Sequence, residues 1–453
     1  MEYRHIAALL LFMSLLFAGC QTEAALTDAL ETSEATTDGP TLPLILINTL
    51  GNTIVDEPKN NAFLEIFKAD SILEAHAIGI EYRGSSSQAL FDKKSYGFET
   101  RDENNEDLNV PLGGYPEEED WILYGPYSDK TLVRNVLIYQ LSNAIGRYAT
   151  RTDFYELKIN DDFLGTFVLM EKIKRDKHRV DIKKNKEEDI SGGYILKIDK
   201  TTGDGDTYNS AISFPSQFDP NGNPSSAGKI QFLYEYPDED DITDEQKTYI
   251  QQYIHEFETQ LLSENFSDPA LGYAKYIDVG SFIDFFILNE ISKNPDAYRL
   301  STFMHKDRGG LLNMGPIWDF NIAFGNVNYC DGASPEGWSY KFNDSCPNDF
   351  WLVPFWWNRL MQDSNFTEQL KTRWNTLRNE ALSTNSILNR LQENIDVLEA
   401  NNAVARNYNR WPILGTYIWP NSFVGESFSD EVLFLKEWIQ DRLAWMDQAM
   451  EQL

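Results

Sequence analysis

Hydrophobic and polar positions in the first part of the chain alternate with a period of two residues, which is typical of β-strands. In HAIGIEYRG, this period places Ile78, Ile80 and Tyr82 on one face. DFYELKINDDFLGTFVLMEKI contains two such runs around Asn160–Asp162, whose composition favours a turn. These patterns predict an antiparallel sheet between residues 43 and 200.

Helical periodicity occurs once inside this β-rich part and predominates after it. SDKTLVRNVLIYQLSNAIGRY carries Val133, Leu137 and Leu141 at helical spacing. Further along, Thr243 and Gln246 have the spacing of a capping box, and several amphipathic segments follow. The chain is therefore predicted to be an α+β protein with a β-rich first half and a helical second half.

The same patterns divide the chain into five segments. Residues 1–19 have the basic start and short apolar run of a signal peptide, and 20–42 are acidic and free of aromatic residues, as in a disordered tether. A β-rich lobe (43–200), an acidic loop insertion (201–242) and a helical lobe (243–453) follow. Two lobes of unlike composition predict a cleft that binds a ligand.

The end of the signal peptide, LFAGC, resembles a bacterial lipobox, in which the cysteine carries the lipid and becomes the mature N-terminus. Its apolar run is too short to span a bilayer. We therefore expect an exported lipoprotein, anchored through Cys20 in the periplasm or at the cell surface. Plain secretion is the alternative.

Composition narrows the possible partners. The chain has 453 residues, 42% of them hydrophobic, which is enough for a sizeable core. Its net charge of −32 argues against nucleic acid as a partner, because nucleic acid is a polyanion. With Cys20 lipidated, Cys330 and Cys346 remain available for a disulfide in an oxidising compartment.

Two carboxylates suggest the chemistry. Asp296 follows the apolar helix FIDFFILNEISKN, and Asp319 lies in GPIWDFN after a short predicted hairpin around Gly309–Gly310. Protein kinases use this order, with one aspartate at the acceptor hydroxyl and a second one on Mg²⁺. A metal ion would also compensate the burial of Asp319 beside Trp318 and Phe320. The structural alternatives are a turn capped by Asp296 and an arginine paired with Asp319.

The sequence resembles the CotH kinase family, the spore coat protein H family of atypical kinase-like proteins. The resemblance covers about 43–450 and depends on the ordered motifs YRGSSS, KKSYGFE, DWILYGPYSDKTLVRN, GGYILKIDK, NPDAYRLSTF and GPIWDFNIAFGN. It implies an atypical, two-lobed protein-kinase-like fold, ATP with Mg²⁺ or Mn²⁺, and transfer of the γ-phosphate to Ser or Thr of secreted or surface proteins. It assigns Asp296 as the catalytic residue and Asp319 as the metal ligand, although these two roles are exchangeable.

The β-rich half is then expected to hold the nucleotide, although it lacks G-x-G-x-x-G. Arg83 opens RGSSS, whose backbone N–H groups and hydroxyls suit phosphate. Lys94, predicted to point inward beside Tyr96 and Phe98, would bind phosphate or pair with a carboxylate such as Glu171. Glu171 would lie near the adenine or cap its strand. Arg83, Lys94 and Glu171 are therefore the predicted cofactor-binding residues.

Two departures and the compartment keep other classes open. Ser301 stands where protein kinases have a metal-binding Asn, and Asn321 replaces the Gly of Asp-Phe-Gly. ATP is scarce outside the cytoplasm. A surface-anchored binding or adhesion lipoprotein that keeps the fold without activity is the main alternative. A hydrolase with two carboxylates requires a separation that the sequence does not supply.

Overall fold

The computed structural model describes residues 41–69, 71–201 and 207–453, and its first seven strands close into a barrel. The strand order is β1-β2-β3-β4-β5-β7-β6, and parallel pairing of β1 with β6 completes the ring. The strands are β1 (Leu44–Asn48), β2 (Asn60–Lys68), β3 (Ser71–Arg83), β4 (Ser95–Arg101), β5 (Asp120–Tyr124), β6 (Thr152–Ile159) and β7 (Asp162–Glu171).

Alternating apolar side chains fill this barrel, as the period of two predicts. Ile80 on β3 pairs across to Phe98 on β4, and both side chains are buried. The predicted turn between β6 and β7 is confirmed, with Asn160 in the left-handed region at φ 53°. The Asn160 side chain accepts the Thr49 N–H at 3.0 Å, which ties this turn to the end of β1.

A second sheet has the order β12-β11-β8-β10-β9 and combines strands from distant parts of the chain. Its strands are β8 (Tyr194–Ile198), β9 (Ser213–Pro215), β10 (Gln231–Tyr236), β11 (Thr302–Lys306) and β12 (Leu312–Met314). The hairpin predicted around Gly309–Gly310 is confirmed as β11 and β12. Antiparallel pairing of Thr302 with Ile198 joins this hairpin to β8.

The segment predicted as a loop insertion, 201–242, is only partly a loop. It contributes β9 and β10 to the second sheet, and Phe232 and Leu233 of β10 are buried. These short apolar runs were hidden by the Gly, Asp and Pro residues around them. The loop prediction is therefore wrong for these two strands.

Ten α-helices complete the described part of the chain. They are α1 (Ser86–Leu90), α2 (Arg134–Ala144), α3 (Asp244–Leu262), α4 (Val279–Ser292), α5 (Phe342–Ser345), α6 (Trp356–Leu360), α7 (Ser364–Arg378), α8 (Thr384–Ala400), α9 (Ala403–Arg410) and α10 (Phe428–Glu451). The capping box of α3 is confirmed, because Thr243 and Gln246 exchange both hydrogen bonds. Among the described residues, none of these helices has both the length and the apolar character needed to cross a bilayer.

The helix α2 belongs to the main core although it lies between two barrel strands in sequence. Val136, Leu137 and Leu141 pack in the same hydrophobic cluster as residues of α4, α8 and α10. Leu42 is buried in this cluster too, so its side chain does not belong to a disordered tether. The predicted signal peptide, Cys20 and residues 20–40 of the tether lie outside the described residues.

Cys330 and Cys346 form a disulfide, with their Cα atoms 5.6 Å apart. The bridge closes the segment that leads from the 315–326 motif to α5. The pairing left open by the sequence is thereby confirmed.

Candidate functional site

Asp296 lies in the loop that follows α4. The helix ends at Lys293, which has a left-handed conformation with φ 42°. One carboxylate oxygen of Asp296 accepts Arg299 Nη2 at 2.8 Å, and the side chain of Asp296 remains 22% exposed. Arg299 also donates to the carbonyl of Trp351 at 3.2 Å. Asp296 is therefore held in one orientation while it still reaches solvent.

Asp319 is placed by its backbone. Its φ of 63° is left-handed, a conformation that costs of the order of 1–3 kcal/mol and recurs at functional sites. Its N–H donates to the Tyr139 hydroxyl at 3.0 Å, and the N–H of Phe320 donates to Asn135 Oδ1 at 2.7 Å. Both acceptors lie on α2. Asn294, from the loop of Asp296, donates to the carbonyl of Asp319 at 3.3 Å.

A third carboxylate, Asp199, follows directly after β8. Ser301 Oγ donates to Asp199 Oδ2 at 3.5 Å, across the pairing of β8 with β11. The backbone N–H of Lys200 donates to the other oxygen at 2.8 Å. Burial raises the pKa of Asp199. Sequence reasoning missed this residue, because only its position at the end of the GGYILKIDK strand marks it.

The three carboxylates influence one another. Burial is the largest cause that raises the pKa of Asp319, to about 7, and the charges of Asp296 and Asp199 raise it further. Lys200 and Arg83 act in the opposite direction. Within 41–69, 71–201 and 207–453, no basic side chain forms an ion pair with Asp319. The predicted alternative of an arginine partner is therefore not observed.

This donor set fits a divalent cation that shares its coordination with other ligands. Carboxylate oxygens suit Mg²⁺ and Mn²⁺. In the described part of the chain, however, no three His, Cys, Asp or Glu side chains already stand at metal-ligand spacing. Mg²⁺ usually takes one or two carboxylates together with phosphate and water. Asp319 and Asp199 suit this mode of coordination, in which the protein supplies only some of the ligands.

Basic side chains surround the same place. Arg83, at the end of β3, lies with its guanidinium carbon 5.9 Å from the centre of the Trp318 ring. Lys200 Nζ donates to Ser86 Oγ at 3.5 Å, which brings the RGSSS segment beside Asp199. Arg83 and RGSSS thus lie near the aspartates, and their contact with phosphate stays a prediction. The site therefore combines carboxylate oxygens with two basic side chains, Arg83 and Lys200, that form no ion pair with Asp319.

A model of the CotH kinase protein family matches residues 80–446. The chain belongs to the CotH kinase family. No curated protein matches it. The matched range contains Arg83, Asp199, Asp296 and Asp319. Membership supports a kinase-like function, with nucleotide and divalent metal used in general and a protein as the expected substrate.

Further cations of this CotH kinase family member were missed by sequence reasoning. Lys197 on β8 pairs with Glu235 on β10 at 3.0 Å. Burial works to raise the pKa of Glu235, but Lys197, Lys172 and Arg83 outweigh it and lower that pKa. Three basic residues, Arg83, Lys197 and Lys200, therefore lower the pKa of Asp199 or of Asp319 by their charge.

Lys94 does not form the ion pair with Glu171 that was one of its two predicted roles. Its Nζ donates to the carbonyls of Gln88 and Phe91, both at 2.6 Å, and so supports α1. The fully buried lysine is its neighbour Lys93, because the chain turns immediately before β4. Contact of Lys94 with phosphate stays a prediction.

Glu171 lies at the end of β7, where it is fully buried. It accepts Arg151 Nη1 at 2.7 Å and Arg179 Nη2 at 3.2 Å. These two arginines explain how its charge is tolerated at a strand end without any ligand. Its predicted contact with a nucleotide is not tested by this geometry and stays a prediction.

The departure at Ser301 has a structural explanation in this CotH kinase family member. Ser301 adopts φ 46°, and its side chain is directed to Asp199. The position that holds a metal-binding Asn in protein kinases thus supports a carboxylate from β8 instead. Asp199 thus places a carboxylate beside Ser301, the position where a poorer metal ligand is expected.

Proposed function

We propose that the chain is a protein kinase that transfers the γ-phosphate of ATP to Ser or Thr of secreted or surface proteins, with Mg²⁺ or Mn²⁺. The observation that carries this proposal is the convergence of Asp199, Asp296 and Asp319 beside Arg83 and Lys200, where Asp319 has no ion-pair partner among the described residues. This is the charge distribution that a metal–triphosphate complex complements.

Each group has a role in phosphoryl transfer. Asp319 and Asp199 are proposed to hold the divalent cation, which when bound supplies neutralising charge to the phosphates. Arg83 and Lys200 bind phosphate oxygens. Asp296, oriented by Arg299, positions the acceptor hydroxyl and takes its proton as that oxygen bonds to the γ-phosphorus. The bond from the γ-phosphorus to the β-bridging oxygen breaks, and ADP leaves.

The finer architecture and the location belong to the same proposal. The barrel, with RGSSS at one end, is proposed as the nucleotide-binding lobe, and the helix-rich part as the acceptor lobe. Export as a lipoprotein anchored through Cys20 is supported by LFAGC in the sequence. The alternative of an inactive binding protein is not favoured, because both predicted aspartates are present and a third accompanies them.

The test is incubation of the protein with γ-labelled ATP and Mg²⁺ or Mn²⁺, with and without a Ser/Thr-rich acceptor protein. Label is expected on the wild type and on Asp161→Asn, a control carboxylate on the exposed β6–β7 turn. Asp319→Ala and Asp296→Asn are expected to lose at least about 100-fold in rate. Full labelling of Asp319→Ala, or no label and no nucleotide-dependent stabilisation of the wild type, would overturn the proposal.

A further inference from the structure

A small pocket of about 100 Å³ opens beside the proposed acceptor side of the cleft. Its walls are mostly apolar and include Ile198, Ile230 and Leu352. Phe350 and Trp351 complete them, with their rings edge to face at a centroid distance of 5.0 Å. Phe350 is 62% exposed, so its ring is accessible to a ligand.

The pocket is held open by polar contacts behind its walls. The Tyr208 hydroxyl donates to the carbonyl of Asp199 at 2.8 Å and accepts Trp351 Nε1 at 3.3 Å. At the rim, Lys229 Nζ lies 5.5 Å from the centre of the Phe350 ring, and Lys200 Nζ lies 5.0 Å from that of Trp351. A ligand would therefore meet preorganised apolar walls.

The side chain of Arg299 connects the pocket with Asp296. Arg299 lines it, and the same guanidinium donates to Asp296 Oδ1 at 2.8 Å. Asp199 lines it too. Because Arg299 contacts both Asp296 and the pocket, and successive residues of an extended chain are only about 3.3 Å apart, a peptide that brings a hydroxyl to Asp296 can reach this pocket with a neighbouring side chain.

We propose that this pocket binds one aliphatic side chain of the acceptor peptide, close to the Ser or Thr that receives phosphate. An apolar cavity of roughly 150 Å³ accepts a benzene ring, so the smaller volume here suits a valine, leucine or methionine side chain. The inference rests on the proposed function and deepens it, because it names a substrate class: peptides with an aliphatic residue at one fixed distance from the acceptor.

The test uses fluorescent octapeptides that contain one serine and otherwise alanine, with a single leucine moved through the three positions on either side. Binding to the full chain is measured by fluorescence anisotropy and needs no phosphoryl transfer. One leucine position is expected to bind about 10-fold more tightly than the all-alanine reference. Phe350→Ala and Ala227→Trp, which fills the mouth, are expected to remove this preference.

Leu433→Ala serves as the matched control, since Leu433 is 54% exposed on α10 and does not line the pocket. Equal binding of all leucine positions, or a preference that survives both pocket variants, would overturn the inference. So would variants that weaken nucleotide binding and leave peptide binding intact, because the pocket would then serve the nucleotide. Leucine-dependent binding without any phosphoryl transfer would keep the pocket and refute the kinase.

Discussion

Glu290, on α4, and Asp319, after the β11–β12 hairpin, are two acidic residues whose surroundings differ completely. Glu290, on α4, accepts hydrogen bonds from the Tyr298 hydroxyl at 3.0 Å and from the N–H groups of Ser339 and Tyr340 at 2.8 and 2.9 Å. Arg442 Nη2 adds an ion pair at 3.1 Å. The Glu290 carboxylate therefore has both its hydrogen-bond donors and its cationic partner inside the protein.

Asp319 is fixed just as firmly, but only through its backbone. The charges of Asp296 and Asp199 raise the pKa of Asp319. Those of Arg83 and Lys200 lower it, although neither side chain forms an ion pair with Asp319. The two acids therefore differ in their partners. The contacts of Glu290 stabilise the fold, whereas the carboxylate of Asp319 is the one that we propose binds a metal ion.

A raised pKa alone does not mark such a site. Burial raises the pKa of Glu258 to about 7 as well, but this carboxyl accepts Trp356 Nε1 and Ser216 Oγ, each at 2.9 Å. Neutral donors surround it, and no charged neighbour contributes to its shift. The charges of neighbouring carboxylates, rather than burial, distinguish the surroundings of Asp319 from those of Glu258.

The largest effect on stability is expected at Glu290, whose charge is compensated inside the protein. Arg442→Met should lower the free energy of unfolding by roughly 3–5 kcal/mol, because it leaves Glu290 buried without its cation. Urea denaturation followed by tryptophan fluorescence measures this loss. The double variant Arg442→Met with Glu290→Gln should recover part of it. A loss below about 1 kcal/mol would show that the hydrogen bonds to Glu290 suffice.

The second prediction concerns pH. Because the pKa of Asp319 is raised to about 7 in the fold, the folded state binds more protons than the unfolded state between about pH 4 and 7, and stability falls as pH rises through this window. Without metal, Asp319→Asn should therefore become more stable than the wild type. The advantage should grow by about 2–3 kcal/mol from pH 5 to pH 8.

Thermal unfolding at several pH values measures this difference, with Glu258→Gln as the matched control. The Glu258 variant should show a pH trend of the same sign, since its acid also has a pKa of about 7 in the fold. Addition of Mn²⁺ and nucleotide should stabilise Glu258→Gln and leave Asp319→Asn unchanged. A pH-independent difference for Asp319→Asn would contradict the electrostatic assignment.

The smallest effect is expected for one cation of the cleft. Lys200→Met should weaken nucleotide binding about 5- to 10-fold, because one charge near the phosphates is lost. The nucleotide-dependent thermal shift measures it, and Lys158→Met, on β6, is the control. Unchanged binding would indicate that Lys200 serves only the Trp351 ring and Ser86.

Local periodicity was sufficient to predict the type of most elements. The β6–β7 turn, the β11–β12 hairpin and the capping box of α3 each follow from residues close in sequence, and the structure confirms them. Asp296 and Asp319 were predicted because Asp296 lies in the loop after an apolar helix and only a short hairpin separates it from Asp319. Structure formed by residues close in sequence is thus enough to bring these two carboxylates together.

What sequence reasoning missed depends on distant pairing. Asp199 reaches the site only because β8 pairs with β11, and nothing near Asp199 in sequence reveals that. The partners of Glu171 and Lys94 were likewise unpredictable, because a turn before β4 reversed which lysine is buried. Strands β9 and β10 were overlooked since their apolar runs are short and lie among turn-forming residues.

The pairing of β8 with β11 also determines when the three carboxylates come together as the chain folds. Ser301 and Asp199 are 102 residues apart in sequence, and contacts of such long range close late in folding. During synthesis, the barrel strands emerge first and Asp319 follows much later. A partly synthesised chain therefore contains Asp199 without Ser301, and the three carboxylates come together only once the hairpin after α4 has paired with β8.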